Sequence, residues 1–159
     1  MDAKRSGKSE LPLRGRLAGI DFGTVRIGVA VSDAAQIIAS PLETYHCRSQ
    51  DQDAHFFQEL VAREDIRGFV VGLPVHMSGD ESQKSAEARA FGDWLETTTG
   101  LPVDWMDERY TTALARETLA QSGLRGKSRK ARLDKIAAQL ILATYLESRS
   151  SGNGLDSID

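Results

Sequence analysis

The sequence predicts an α/β protein: a mixed five-stranded sheet flanked by helices, in the order β-β-β-α-β-α-β-α-α. Two observations carry this. Two short apolar runs near the start flank a turn and read as a β-hairpin. Further on, short apolar runs alternate with segments of helical periodicity, which implies parallel pairing through crossovers.

Leu17–Asp21 and Ile27–Ser32 are the two hairpin strands. Gln36–Tyr45 is a third extended stretch. Pro41 interrupts it, and proline cannot donate to a ladder, so it is an edge strand or bent. These three form an antiparallel meander. Asp51–Glu64 carries Phe56, Phe57, Leu60 and Val61 at helical spacing. Gly68–Pro74 is a short buried strand that ends at a Gly/Pro break. Asp80–Thr98 is a helix with Ala86, Ala90, Phe91, Trp94 and Leu95 on one side, stopped by Gly100 and Pro102. Val103–Met106 is the fifth strand and runs into Asp107-Glu108-Arg109. Thr111–Gln121 is a helix with Thr111 or Thr112 as N-cap, ending near Gly123. Gly123–Lys130 reads as a mobile loop. Arg132–Glu147 closes the chain with Leu133, Ile136, Ala137, Leu140, Ile141 and Tyr145 in helical register.

At 159 residues, 40% hydrophobic and 27% charged, the chain has the make-up of one globular domain, spanning 17–147. Met1–Arg16 is polar and basic, lacks the apolar segment of a secretory signal, and reads as a flexible extension. Ser148–Asp159 is rich in Ser, Gly and Asp and reads as a disordered tail. No apolar run approaches the roughly 18 residues of a membrane span, so no membrane partner is expected. Cys47 is the single cysteine, which excludes an internal disulfide and a thiolate metal cluster. His46, His55 and His76 have no metal-ligand spacing. These features favour the cytoplasm.

The net charge of -3 argues against a general nucleic-acid binder. Its distribution qualifies that. Arg125, Lys127, Arg129, Lys130, Arg132 and Lys135 crowd one stretch around the single Asp134. Such a run is either a solvated loop and helix start or a surface that handles phosphate.

Three acidic positions stand at element ends beside turn residues. Asp21 ends the first strand, Asp107 and Glu108 end the fifth, and Asp134 begins the last helix. Each has an ordinary reading. Asp21 before Gly-rich turn residues is common turn chemistry. Asp107 and Glu108 can pair with Arg109, and Asp134 can favour the helix dipole. Their coincidence with this element order suggests more. Sites form beyond the carboxyl ends of parallel strands. If strands one and five are neighbours, Asp21 and Glu108 stand side by side, and bare carboxylates at close range repel. A hard divalent cation, Mg²⁺ or Mn²⁺, removes that penalty. Two ions about 3.5–4 Å apart can activate a water and stabilise the leaving oxygen of a phosphodiester.

Four blocks in order then resemble the YqgF/RuvX family of pre-16S rRNA nucleases and Holliday junction resolvase-like proteins. Asp21-Phe22-Gly23-Thr24 with Arg26-Ile27-Gly28-Val29-Ala30 resembles its opening hairpin. Val71-Gly72-Leu73-Pro74 followed by Gly79 resembles its central strand and loop. Asp107-Glu108-Arg109-Tyr110-Thr111-Thr112 resembles its acidic strand end, and Asp134-Lys135-Ile136-Ala137-Ala138 with Ile141-Leu142 and Tyr145-Leu146 its closing helix. The resemblance covers Leu17 to Glu147. It implies an RNase H-like fold and a cytoplasmic, metal-dependent nuclease that trims the 5′ end of the 16S rRNA precursor. It implies that Asp21, Glu108 and Asp134 are the catalytic carboxylates and hold Mg²⁺ or Mn²⁺, two ions with substrate bound. Asp107 is a further candidate ligand, set apart because alternate strand residues face opposite ways. Thr24, Arg26 and Arg109 belong near the site. Arg26 or Arg109 contacts a phosphate through a bidentate fork, or else braces the acidic cluster as an ion pair. Lys127, Arg129, Lys130 and Arg132 are candidate phosphate contacts. One departure is visible: His76 stands before Met77 where the family often has Asn.

Three other functions are weighed against the rRNA nuclease. A Holliday junction resolvase shares the metal chemistry but needs two symmetric cuts, hence a stable twofold dimer; this chain is expected to be a monomer or a weak dimer. A non-catalytic RNA- or ribosome-binding factor would use the basic run alone. An ATP-handling protein with a similar phosphate hairpin would need a second such domain, which the length disfavours.

Overall fold

A computed structural model describes residues 11–74, 82–108 and 126–158, with side chains of the last segment described for 132–150. Five strands form one sheet: β1 (Arg16–Asp21), β2 (Arg26–Ser32), β3 (Ala39–His46), β4 (Ile66–Leu73) and β5 (Val103–Asp107). Three helices are described: α1 (Gln50–Glu64), α2 (Gln83–Thr99) and α3 (Gly126–Ile158). The strand order is β3-β2-β1-β4-β5, with β1, β2 and β3 antiparallel and β1, β4 and β5 parallel. The meander and the parallel crossovers are as the sequence predicts. β3 is an edge strand, and a register shift beside Pro41 absorbs its missing donor.

The alternation along each strand divides the core in two. Ala18, Ile20, Val29, Phe69 and Val71 face α1 and α2, where Phe57, Leu60, Phe91 and Leu95 are buried. Leu17, Ala30 and Val70 face α3, which buries Ala138, Ile141, Leu142, Tyr145 and Leu146 against them. Local chemistry sets the helix ends. Ser49 and Gln52 close a capping box on α1, and Ser82 and Ser85 close one on α2. Gly100 ends α2 in the left-handed region at φ 76°.

β4 lies between β1 and β5, so the condition that would set Asp21 and Glu108 on neighbouring strands is not met. Other expectations are corrected. α3 begins at Gly126, so Lys127, Arg129 and Lys130 lie on a helix and not in a loop. It continues to Ile158 through the stretch expected to be a disordered tail. That stretch has few apolar residues to signal burial, yet once a helix is nucleated each added residue gains a hydrogen bond. Part of the expected extension is docked on the domain. Leu11 is buried, Gly15 donates to the Ala34 carbonyl at 2.7 Å, and Gln36 Nε2 donates to the carbonyls of Pro12 and Gly15. The expected helix 111–121 and residue His76 lie outside the described residues. Among the described residues no helix is long and apolar enough to cross a membrane.

Candidate active site

The site is built on the α3 face of the sheet, at the carboxyl ends of the parallel strands. Leu17 and Gly19 of β1 face α3, so Asp21, two residues on, stands on the same face. Its register partner on β2 is Gly28. A Cβ on Gly28 would collide with the backbone carbonyl of Asp134. The bare Gly28 therefore lets the α3 backbone lie directly on β2, and this brings Asp134 to the end of β1.

Glu108 comes from farther away. It follows β5, and β4 separates that strand from Asp21. Gly72 of β4 opens the path. A Cβ there would stand 2.6 Å from Glu108 Oε2 and 2.5 Å from Ile141 Cδ1. The Glu108 carboxylate thus lies across the position where any other residue would carry a side chain. Asp104 bonds Tyr145 of α3 at 3.0 Å and Met106 packs in the α3 layer, so Glu108 shares their face. Trp105 packs in the opposite layer, and alternation puts Asp107 on that side. Asp107 does not line the cleft.

Asp21, Glu108 and Asp134 line one cleft of about 430 Å³, closed by the turn Phe22–Arg26, Pro74, Lys84 and Glu87. Burial, followed by the charges of Glu108 and Asp134, pushes the Asp21 carboxyl from 3.8 up to about 7. Asp134 has a partner. Arg26 Nε donates to its Oδ2 at 2.7 Å. Among the described residues, no three His, Cys, Asp or Glu side chains are gathered so as to hold an ion. The donor set still suits one: it is carboxylate oxygen throughout, and a buried acid beside two like charges is what a hard cation relieves.

Of the other predicted residues, Thr24 and Arg26 line the cleft. Arg132 is exposed on α3 outside the lining, and Arg109 lies outside the described residues. Lys127, Arg129 and Lys130 lie on α3 ahead of Asp134. Lys84 and Glu87, from the start of α2, were not anticipated. No motif marks them, and only the Ser82 cap, which fixes where α2 begins, bears on their position.

The comparisons with known proteins fit this geometry. The family model described as "RuvX: Holliday junction resolvase" matches residues 15–148. The chain is 47% identical over 137 residues to the "Putative pre-16S rRNA nuclease" of Rhodopirellula baltica, covering 86% of this chain and 79% of that one. It is 39% identical over 142 residues to the protein of the same name from Koribacter versatilis, covering 89% and 93%. Among solved structures it superposes on the RuvC of Thermus thermophilus in complex with Holliday junction substrate, with TM-score 0.51 at 19% identity, covering 84% and 95%. It also superposes on the yeast mitochondrial Holliday junction resolvase Ydc2, with TM-score 0.53 at 10% identity, covering 91% and 82%. At such identities these two likenesses bear on the fold alone, and that fold is the expected RNase H-like one.

Proposed function

The chain belongs to the RuvX family, and from that premise we propose that it is a cytoplasmic, metal-dependent nuclease that processes the 5′ end of precursor 16S rRNA. One observation carries the proposal: carboxylates from three distant segments, Asp21, Glu108 and Asp134, line a single cleft. These three are the catalytic residues and would hold Mg²⁺ or Mn²⁺. When bound, the ion supplies positive charge that lowers the pKa of water and offsets charge on a phosphodiester. Asp107, on the opposite face, is not needed for that shell.

The chain's own residues do the rest. Asp21 is shielded and flanked by like charges, which push its carboxyl up to about 7, and a bound cation would relieve that penalty. Arg26 and Lys84, both at the cleft, can orient phosphate oxygens, with Thr24 on the turn between β1 and β2 as a further hydrogen-bond partner. Lys127, Arg129, Lys130 and Arg132 add positive charge along the first turns of α3, ahead of Asp134.

The test is cleavage of a precursor 16S rRNA fragment with Mg²⁺ by the natural chain and by Asp21→Asn. The expected result is cleavage by the first only, with RNA binding retained by both. Equal cleavage would overturn the assignment and favour a non-catalytic RNA-binding role. The family description supports a second substrate, the four-way DNA junction. Paired cuts there require a twofold dimer, so junction cleavage should rise with dimer content in sedimentation if that reading is right.

A further inference from the structure

We infer that the Arg26 guanidinium is the resident counterion of Asp134, that a divalent ion displaces it by charge repulsion, and that the displaced guanidinium then takes the substrate phosphodiester. This rests on reading Asp134 as an ion ligand.

The carboxylates share a cleft, yet among the described residues they do not form a set ready for an ion. The charge nearest to Asp134 is already in place. Arg26 Nε reaches Oδ2 at 2.7 Å, with the two side chains only 31% and 22% exposed. A charge-assisted bond this short, and this shielded, is screened far less than a surface pair. Only Oδ2 is engaged, so Oδ1 keeps lone pairs for a cation, but a divalent ion there stands close to a fixed guanidinium charge and the two cations repel.

Arginine cannot shed its proton, so displacement does not remove the charge from the cleft. The guanidinium then needs another anion. Its five donors in a planar fork match a phosphodiester, and Arg26 stands at the foot of β2, directly after the turn that lines the same cleft. Ion and phosphate both favour the state in which Arg26 has left Asp134. Their affinities should therefore be coupled, each raising the other by the same factor.

The experiment uses the full chain and three readouts. The first is calorimetric titration with Mn²⁺ alone, for the natural protein, Arg26→Gln, Arg26→Lys and Asp134→Asn. Arg26→Gln should bind Mn²⁺ roughly tenfold more tightly, and Arg26→Lys within about twofold of the natural protein. The second is binding of a labelled RNA hairpin with and without Ca²⁺, used in place of Mg²⁺ to hold back cleavage. Ca²⁺ should strengthen RNA binding by the natural protein more than by Arg26→Gln. The third is the side-chain Nε–H resonance of Arg26, identified by its loss in Arg26→Lys, which should move when Mg²⁺ is added. If Asp134→Asn abolishes ion binding while Arg26→Gln leaves it equal or weaker, the displacement is wrong and the site reading survives. If Asp134→Asn binds Mn²⁺ like the natural protein, the ligand reading fails and takes the inference with it. Should Arg26→Gln not fold, an Arg26 resonance unmoved by Mg²⁺ overturns the displacement by itself.

Discussion

Asp21 concentrates the physical problem of this site in one residue. Its carboxyl rises from 3.8 to about 7, first through burial and then through Glu108 and Asp134. The folded state therefore holds a proton that the unfolded chain has already released between those values. The sign follows from linkage: without metal, stability is highest on the acid side and falls as pH climbs through about 7. The shift corresponds to a penalty on the order of 4 kcal/mol above that window. Asp21→Asn removes the charge, so the metal-free variant should melt at higher temperature than the natural protein at pH 8. At pH 4, where the natural carboxyl is protonated, the gain should vanish. Scanning calorimetry at the two pH values checks this. Mg²⁺ should raise the Tm of the natural protein and leave that of Asp21→Asn nearly unchanged. Lys84 offers a second test at this scale. Lys84→Ala should weaken RNA binding and lower the slope of log affinity against log salt by about 0.7, read by fluorescence titration.

Among the elements, the contact between α3 and the sheet decides the geometry, and two glycines govern it in different ways. A methyl group on Gly28 meets backbone, the Asp134 carbonyl, which cannot turn aside. Gly28→Ala must therefore push α3 off β2. It should cost about 1–3 kcal/mol in denaturant unfolding and abolish cleavage, because Asp134 moves with the helix. A methyl group on Gly72 meets the ends of two flexible side chains, Ile141 Cδ1 at 2.5 Å and Glu108 Oε2 at 2.6 Å. Both can swing. Gly72→Ala should unfold close to the natural midpoint yet cleave poorly, because the swing carries Glu108 away from Asp21. A stability loss at Gly72 as large as that at Gly28 would contradict this distinction. The capping boxes of α1 and α2 have a quieter role: each satisfies exposed N–H groups at a helix start, and the cap on α2 holds Lys84 and Glu87 at the cleft rim.

Over the whole molecule, a chain of net charge -3 must meet a polyanion, and it does so by segregating its charge. The carboxylates gather at the strand ends while basic residues run along the start of α3, a helix of 33 residues. Replacing Lys127, Arg129, Lys130 and Arg132 together with Gln should weaken RNA binding at all sequences and flatten the salt slope by about 3. KM should rise while kcat at saturating substrate holds, since their charge acts on the RNA backbone as a whole. A fall in kcat would place one of them at the reacting phosphate.

Strand periodicity, the antiparallel opening meander and the edge position of β3 are all legible in the sequence, because each depends on residues close along the chain. Asp21, Glu108 and Asp134 can be picked out singly for the same reason: each sits where a regular run stops. The start of α3 at Gly126 is hidden, since Gly126-Lys127-Ser128-Arg129-Lys130 has no large apolar residue to reveal a helical period. What brings the three acids together is settled only in three dimensions. β4 stands between β1 and β5, and Glu108 reaches Asp21 across the bare Cα of Gly72. Arg26 meets an aspartate 108 residues away, and Lys84 reaches the cleft from a predicted helix at a position that no motif marks. Local sequence specifies elements through short-range hydrogen bonding and side-chain period. Strand order and helix docking depend on which surfaces exclude water together, a property of all the elements at once.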